Sequence, residues 1–492
     1  MAISHDETAK RRGVLLAFWA VFLLGLPMWY LTTQVSRAPL PALPTWAPLK
    51  PIFPISIQLE EDTLAGVSAL AIQKLNSVQD VYHFSTETAA ARDTWTVQVK
   101  LGAQQAIQFD ENKSRTITLT VPATQDHASI ADAVAETLQK LTGDERQTMA
   151  ASRISARASA DLRVVNYAPR FNLLFSLMNG GGLHPFLDWP IESVLAETVE
   201  PILASIQEVS TFIVESQVQH YAELTFEPKF EEETGEHVLL PSDLSNVINA
   251  AEWPLATAEG DAKPLNFIIY VPKPEHRPLV IKQDGKSAAG YAFLLPQFGS
   301  VVIYNPPANE TSKTMDKAIL ATMMETCTSH FLTLIGMSPR IAGWPDHSLW
   351  RRDAFYRARL MELIRSAQQT LASIPKMVDA LPNMHVPEQA AARMAQALTH
   401  VDAALLHTTA ANDYDLIAAL RHARQAVAFA EAAFFDDKMV SLLYFPQEHK
   451  YGVYMPLFGP LLLPLGLSLL REIKGFLVAR RVRRSTEAKK VQ

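Results

Sequence analysis

The sequence predicts an α/β protein: a large mixed-sheet α/β domain with a C-terminal helical bundle, flanked by two transmembrane helices. Three observations predict it. An uncharged apolar run of membrane-spanning length lies near each end of the 492 residues. Between the runs, β-branched stretches at period two alternate with segments of helical period. Before the second run, the chain turns alanine-rich and loses its β-branched stretches.

The first run, Gly13 to Leu31, reads GVLLAFWAVFLLGLPMWYL. At about 1.5 Å per residue it nearly covers a hydrocarbon core of roughly 30 Å. A cleaved signal peptide carries a shorter apolar run of about 7 to 15 residues, and here Trp29 and Tyr30 stand where an interfacial aromatic belt would. Residues 32–54 hold Pro39, Pro41, Pro44, Pro48, Pro51 and Pro54, the composition of a semi-rigid extended stalk. Residues 55–345 form the α/β domain. Strands are predicted at Pro54–Glu60, Trp95–Leu101, Arg115–Val121, Asp161–Tyr167, Thr211–Leu224, Leu265–Val271, Leu279–Lys282 and Val301–Tyr304, with a short apolar element at Asn172–Met178. Helices are predicted at Asp62–Leu75, Ser129–Leu141, Asp188–Ser205 and Met315–Ile335. Residues 346–450 form the bundle, three helices punctuated by Pro375, Leu381-Pro382-Asn383 and Asn412-Asp413. The second run, residues 451–470, is uncharged and contains Pro456, Pro460 and Pro464, each of which removes a helix hydrogen bond and bends a helix that packs among others.

Charge sets the orientation. Residues 1–12 carry Lys10, Arg11 and Arg12 against Asp6 and Glu7, a balance of +1. Residues 471–492 carry eight basic residues against Glu472 and Glu487, a balance of +6, which leaves −14 between them in a chain of net charge −7. Basic flanks stay cytosolic, so both tails are expected in the cytosol and the body between the helices in the lumen. An acidic body repels phosphate backbones, which excludes nucleic acid as a partner. Lys489 and Lys490, four and three residues from the C-terminus, match the dilysine pattern for retrieval to the endoplasmic reticulum. The sequons at Asn112 and Asn309 both fall in the lumenal segment and are glycosylation candidates. A single cysteine, Cys327, rules out an intrachain disulfide framework, so packing must hold the fold.

Three constellations could carry chemistry. Cys327 and His330 lie three apart on one predicted helix, the beginning of a thiol hydrolase pair, but their methionine- and leucine-rich surroundings read as core. Asp413-Tyr414-Asp415 has the D-x-D form of a metal-dependent glycosyltransferase, and it also opens a helix, where aspartates cap free N–H groups. Gly180-Gly181-Gly182 could offer N–H groups to an anion, but no Gly-Lys-Ser/Thr follows, so it reads as a turn. Neither a G-x-S-x-G nor an H-E-x-x-H pattern occurs. The expectation is therefore no catalytic residue, no metal site and no cofactor, with a lumenal glycosyltransferase using Asp413 and Asp415 as the alternative.

Three phrases, Phe293-Leu294-Leu295-Pro296-Gln297-Phe298-Gly299-Ser300-Val301-Val302-Ile303-Tyr304-Asn305, Ser216-Gln217-Val218-Gln219-His220-Tyr221 and Phe175-Ser176-Leu177-Met178-Asn179, resemble segments of the PIG-S subunit of the glycosylphosphatidylinositol (GPI) transamidase. The two-anchor topology resembles that family as well. Where the family phrase carries tryptophan-glycine-glycine, this chain has Phe298-Gly299-Ser300, which marks a divergent member. The resemblance implies a non-catalytic scaffold subunit of the endoplasmic reticulum complex that attaches GPI anchors to the C-terminus of precursor proteins. Its implied partners are the other transamidase subunits, including the caspase-like catalytic subunit, and membrane lipid.

Overall fold

The computed structural model describes residues 5–33, 37–46, 51–59, 66–78, 82–85, 93–110, 114–122, 126–143, 145, 165–181, 186–224, 226–240, 262–283, 286–287, 291–307, 310, 312–337, 348–381, 384–409, 413–441 and 447–490. They fold as a mixed α/β protein. In chain order the elements are α1 (His5–Thr33), β1 (Ile52–Leu59), α2 (Val67–Val78), β2 (His83–Ser85), β3 (Trp95–Gly102), β4 (Ala106–Phe109), β5 (Thr116–Pro122), α3 (His127–Leu141) and β6 (Arg170–Asn179). Next come α4 (Ile191–Thr198), α5 (Glu200–Ile206), β7 (Thr211–His220), β8 (Lys229–Glu231), β9 (Glu236–Leu239), β10 (Lys263–Val271), β11 (Leu279–Gln283), β12 (Lys286–Ser287), β13 (Ala292–Leu295) and β14 (Gly299–Ile303). The last are α6 (Lys317–Leu334), α7 (Ser348–Ala380), α8 (Glu388–Thr409), α9 (Leu416–Phe434), α10 (Asp437–Ser441) and α11 (Gln447–Lys490).

The chain divides into two compact units, Thr45–Gln368 with Leu398–Ala428, and Met1–Pro44 with Gln369–Ala397 and Phe429–Gln492. The first unit holds the sheets. Its N-terminal sheet has the order β2-β1-β3-β5-β4, with all neighbours parallel except the β4–β5 pair. The period-two pattern of WTVQVKLG does what it predicts: Trp95, Val97 and Val99 are buried and the residues between them are half-buried. Helices α2 and α3 cover that face. Val67, Ala71 and Leu75, each four apart, and Ile130, Val134, Leu138 and Leu141 form the facing stripes. Asp126 caps α3 by accepting a hydrogen bond from the Ser129 amide at 3.0 Å. Helix α2 runs from Val67, after Gly66 at φ 97°, and the predicted start at Asp62 lies outside the described residues.

The second sheet runs β13-β14-β10-β6-β7, with β14, β10, β6 and β7 parallel and β13 antiparallel at one edge. Its centre, β6 and β10, is buried on both faces, as continuous apolar runs such as FNLLFSLM require. The β13–β14 hairpin is the Phe293–Asn305 phrase. A Cβ at Gly299, whose φ is 147°, would lie 1.8 Å from the Asn266 carbonyl oxygen, so only glycine fits there. A third, smaller sheet has the order β12-β11-β9-β8.

Several expectations are corrected. Asp161–Val164 lies outside the described residues, and Val165–Tyr167 is not strand. The predicted strand Thr211–Leu224 stops at His220, because Tyr221 turns into positive φ at 57°. The short strands β2, β4, β8, β9, β12 and β13 are too brief to show a period of their own. Helix α7 runs through Pro375, where buried Leu371, Ile374 and Val378 hold the turn on either side of the lost hydrogen bond.

The second unit contains α1 and α11. Among the described residues one helix segment, Gly452–Val478 of α11, is long and apolar enough to cross a membrane, with 27 residues at a mean hydropathy of 1.8 and none of its most apolar window buried. The sequence reading ended this run at residue 470. The helix continues because Ile473, Phe476, Leu477 and Val478 resume an exposed apolar surface beyond Arg471. In α1 the described apolar stretch, Gly13–Gly25, is shorter, and Val14, Leu16, Phe18, Val21, Leu23 and Leu24 are exposed along it. At the head of the proline-rich segment, Arg37 donates to the carbonyls of Val378 (3.3 Å), Leu381 (2.8 Å) and Met384 (3.2 Å). These include carbonyls left open at the C-terminus of α7, and a guanidinium there also complements the helix dipole.

Candidate functional site

The structure separates the residues of the thiol pair. Asp316 starts α6 by accepting from the amides of Ala318 (2.8 Å) and Ile319 (3.2 Å), and the helix then buries Leu320, Met324, Cys327 and Phe331. Cys327 is 1% exposed, and burial pushes its thiol up to about 12. Such a thiol is neither accessible nor ionised at neutral pH. His330 turns instead to β14, where its Nδ1 lies 2.6 Å from the hydroxyl of Ser300. Burial lowers the His330 pKa; Ser300 is fully buried and His330 half-buried, so the contact gives each side chain a polar partner. A Cys327→Ala variant is accordingly expected to assemble and function normally, at a stability cost of about 1 kcal/mol for the small cavity. Native-state maleimide labelling of the parent chain checks the same point, since the thiol should react only after denaturation.

The D-x-D residues also resolve as structure. Asp415 accepts from the Ala418 amide at 2.9 Å and caps α9, while the carbonyl of Asp413 lies 2.8 Å from His407 Nδ1. Across α8 and α9, His400 and His422 approach with their Nδ1 atoms 3.0 Å apart, and the His407 ring stacks on His422. Burial and the two neighbouring imidazoles lower the His422 pKa. No group of three or more histidine, cysteine, aspartate or glutamate side chains among the described residues could hold a metal ion. The contacts seen at Asp413 and Asp415 are those of a helix start.

Gly180 and Gly181 follow β6, and close packing explains both. A Cβ on Gly180 would lie 2.5 Å from the Tyr270 hydroxyl, and one on Gly181 would lie 2.9 Å from Lys273 Cβ. The neighbouring strand fills the space an anion would need. Asn179 secures the turn: its amide donates to the Phe186 carbonyl (2.9 Å) and its carbonyl accepts from the Phe186 N–H (3.1 Å). Gly182 lies outside the described residues, as do Asn112 and Asn309. Helix α11 extends to Lys490, so Lys489 and Lys490 are helical.

A buried polar network lies elsewhere in the first unit, and no local sequence pattern marks it. Arg357 of α7 forms a bidentate pair with Glu145 after α3, at 2.7 and 3.0 Å, and Tyr82 donates to the same carboxylate. The guanidinium lies over the Phe53 ring at 4.4 Å. One step away Arg115 bridges Asp93 (2.7 Å) and Asp353 (2.6 Å), and Asp93 accepts from the Leu416 amide that opens α9 at 3.1 Å. Burial raises the Tyr82 phenol well above its ordinary value, with the adjacent Glu145 carboxylate adding to the effect. Burial likewise raises the Asp93 carboxyl in spite of Arg115. Glu145, Asp93 and Asp353 are each committed to a cationic partner, which suits a clasp that joins the first sheet to α7 and α9.

A model of one protein family, described as Phosphatidylinositol-glycan biosynthesis class S protein, matches residues 16–479. The chain is 27% identical to the human GPI-anchor transamidase component PIGS over 560 aligned positions, covering 99% of this chain and 98% of that one. It is 25% identical to the GPI transamidase component PIG-S homolog of Schizosaccharomyces pombe, covering 98% and 87%, and 23% identical to the GPI transamidase component GPI17 of Saccharomyces cerevisiae, covering 92% and 90%.

Proposed function

The chain belongs to the PIG-S family, and from that premise we propose that it is a non-catalytic scaffold subunit of the GPI transamidase, the complex that attaches GPI anchors to the C-terminus of precursor proteins. The observation that carries this reading is the extent of the likeness: it spans both apolar helices and the body between them and covers nearly the whole of relatives named as transamidase components. The separated Cys327 and His330 agree with a subunit whose catalytic thiol is supplied by a partner.

In this reading α1 and α11 are both membrane anchors, the basic tails lie in the cytosol and the acidic body stands in the lumen of the endoplasmic reticulum. The domains are those of the sequence reading: tails at 1–12 and 471–492, anchors at 13–31 and 451–470, a stalk at 32–54, the α/β body at 55–345 and the bundle at 346–450. Asn112 and Asn309 then face the glycosylation machinery, and Lys489 and Lys490 serve retrieval. The partners are the caspase-like catalytic subunit, the other membrane subunits and surrounding lipid. Rigid packing of the body gives it the means to hold partner domains at a set height above the bilayer.

Topology and assembly test the proposal together. With the plasma membrane permeabilised and internal membranes intact, epitope tags at residues 2 and 492 should both be reached by antibody, and a tag beside Gly235 should be protected. Purification in mild detergent should bring down a cysteine-protease-like partner. Termini on opposite sides, or recovery of a lone chain, would overturn the reading.

A further inference from the structure

We infer that the outer edge of β7 is a docking edge, on which a strand of a stably bound partner subunit extends the second sheet. Three observations lead there.

The first is the edge itself. β7 closes one side of the sheet, pairing with β6 alone among the described residues. The Thr211 amide bonds inward to the Pro169 carbonyl at 2.9 Å. Because backbone groups alternate sides along a strand, residues 211, 213, 215, 217 and 219 face β6. Phe212, Val214, Ser216 and Val218 therefore turn their N–H and C=O groups outward, and among the described residues nothing pairs with them. Such groups, repeating about every 6.6 Å along the strand, are matched best by another extended backbone.

The second is length and composition. The edge strands β2, β4, β8, β12 and β13 are two to four residues long, whereas β7 has ten. Proteins blunt free edges with proline, lysine, bulges or brevity. TFIVESQVQH contains no proline and no lysine, and its register with β6 runs unbroken from Thr211 to His220. A long flat edge left without protection is an aggregation hazard, so its working state is a covered one. That need favours a permanent partner over a peptide that binds and leaves.

The third is the way the strand ends and is held. It ends before Tyr221, 74% exposed and held at φ 57°, a conformation costly for a non-glycine residue. Glu215 and Gln217 are tied to β6, at Asn172 (2.9 Å) and Ser176 (3.0 Å), which fixes the strand to its inner neighbour.

This inference rests on the proposed membership of a multi-subunit complex, and the test separates the two. In the full chain, Ser216→Pro and Val218→Pro each delete an outward N–H and leave the inner ladder intact, whereas Gln217→Pro breaks that ladder and serves as the unfolding control. The first two should retain the parent melting temperature and lose co-purifying partner at least tenfold. Normal assembly of both would overturn the inference. Should either proline variant misfold, a photo-cross-linking residue placed at Ser216 in otherwise intact complex decides the matter. A cross-link to a different subunit supports the docking edge. A cross-link to a second copy, or none from an assembled complex, refutes it. Recovery of the chain without any partner removes the parent reading as well.

Discussion

Arg357→Ala should destabilise the first unit by about 3 to 5 kcal/mol, because it strands the buried Glu145 carboxylate without its cation. Both members of the pair are no more than 5% exposed, so water cannot replace the lost partner. The Tyr82 hydroxyl would remain as a donor, but one neutral hydrogen bond does not offset a bidentate charged pair. The Phe53 ring also loses its stacked guanidinium. Arg357→Lys should recover only part of the loss, since an ammonium cannot engage both carboxylate oxygens in the same geometry. Replacing both members, Glu145→Leu with Arg357→Met, should be milder than either truncation, because no unpaired charge then remains. Thermal denaturation of the purified chain in detergent measures this. Arg357→Ala should lower the midpoint by on the order of 5 to 10 °C, and an unchanged midpoint would mean that the clasp carries no stability.

The clasp also marks where sequence reasoning stopped. The period-two runs at Trp95–Leu101 and Arg115–Val121 and the helical stripe of α3 were legible because each is decided by its own neighbours. The parallel pairing of β6 with β10 is a matter of residues some ninety positions apart, and no local pattern specifies it. Tyr82, Asp93, Arg115, Glu145, Asp353 and Arg357 are scattered likewise, and the run RRDAFYRAR of α7 looks like a solvated helical face. Only the fold turns that face inward, burying Asp353 and Arg357.

The candidate sites are set more by local sequence. The helical setting of Cys327 pointed to core, and the acidic start of α9 pointed to capping, both from local sequence. What could not be read was the partner His330 takes, since Ser300 lies thirty residues away on a different element. The edge character of β7 was hidden for a related reason: an edge strand and an inner strand of ten residues read alike until the sheet order is known.

The central claim is that the chain supports the joining of two substrates made elsewhere, and depletion measures that most directly. Cells depleted of the chain should accumulate both unjoined substrates together: precursors that keep their C-terminal signals, and completed GPI lipids. A glycosyltransferase of the same pathway would leave a different trace, since its loss blocks synthesis before transfer. Lipid extracts and precursor immunoblots from one depleted culture distinguish the two. Joint accumulation of full-length GPI lipid and uncleaved precursor is the result this account predicts, and accumulation of a truncated lipid lacking one sugar would contradict it.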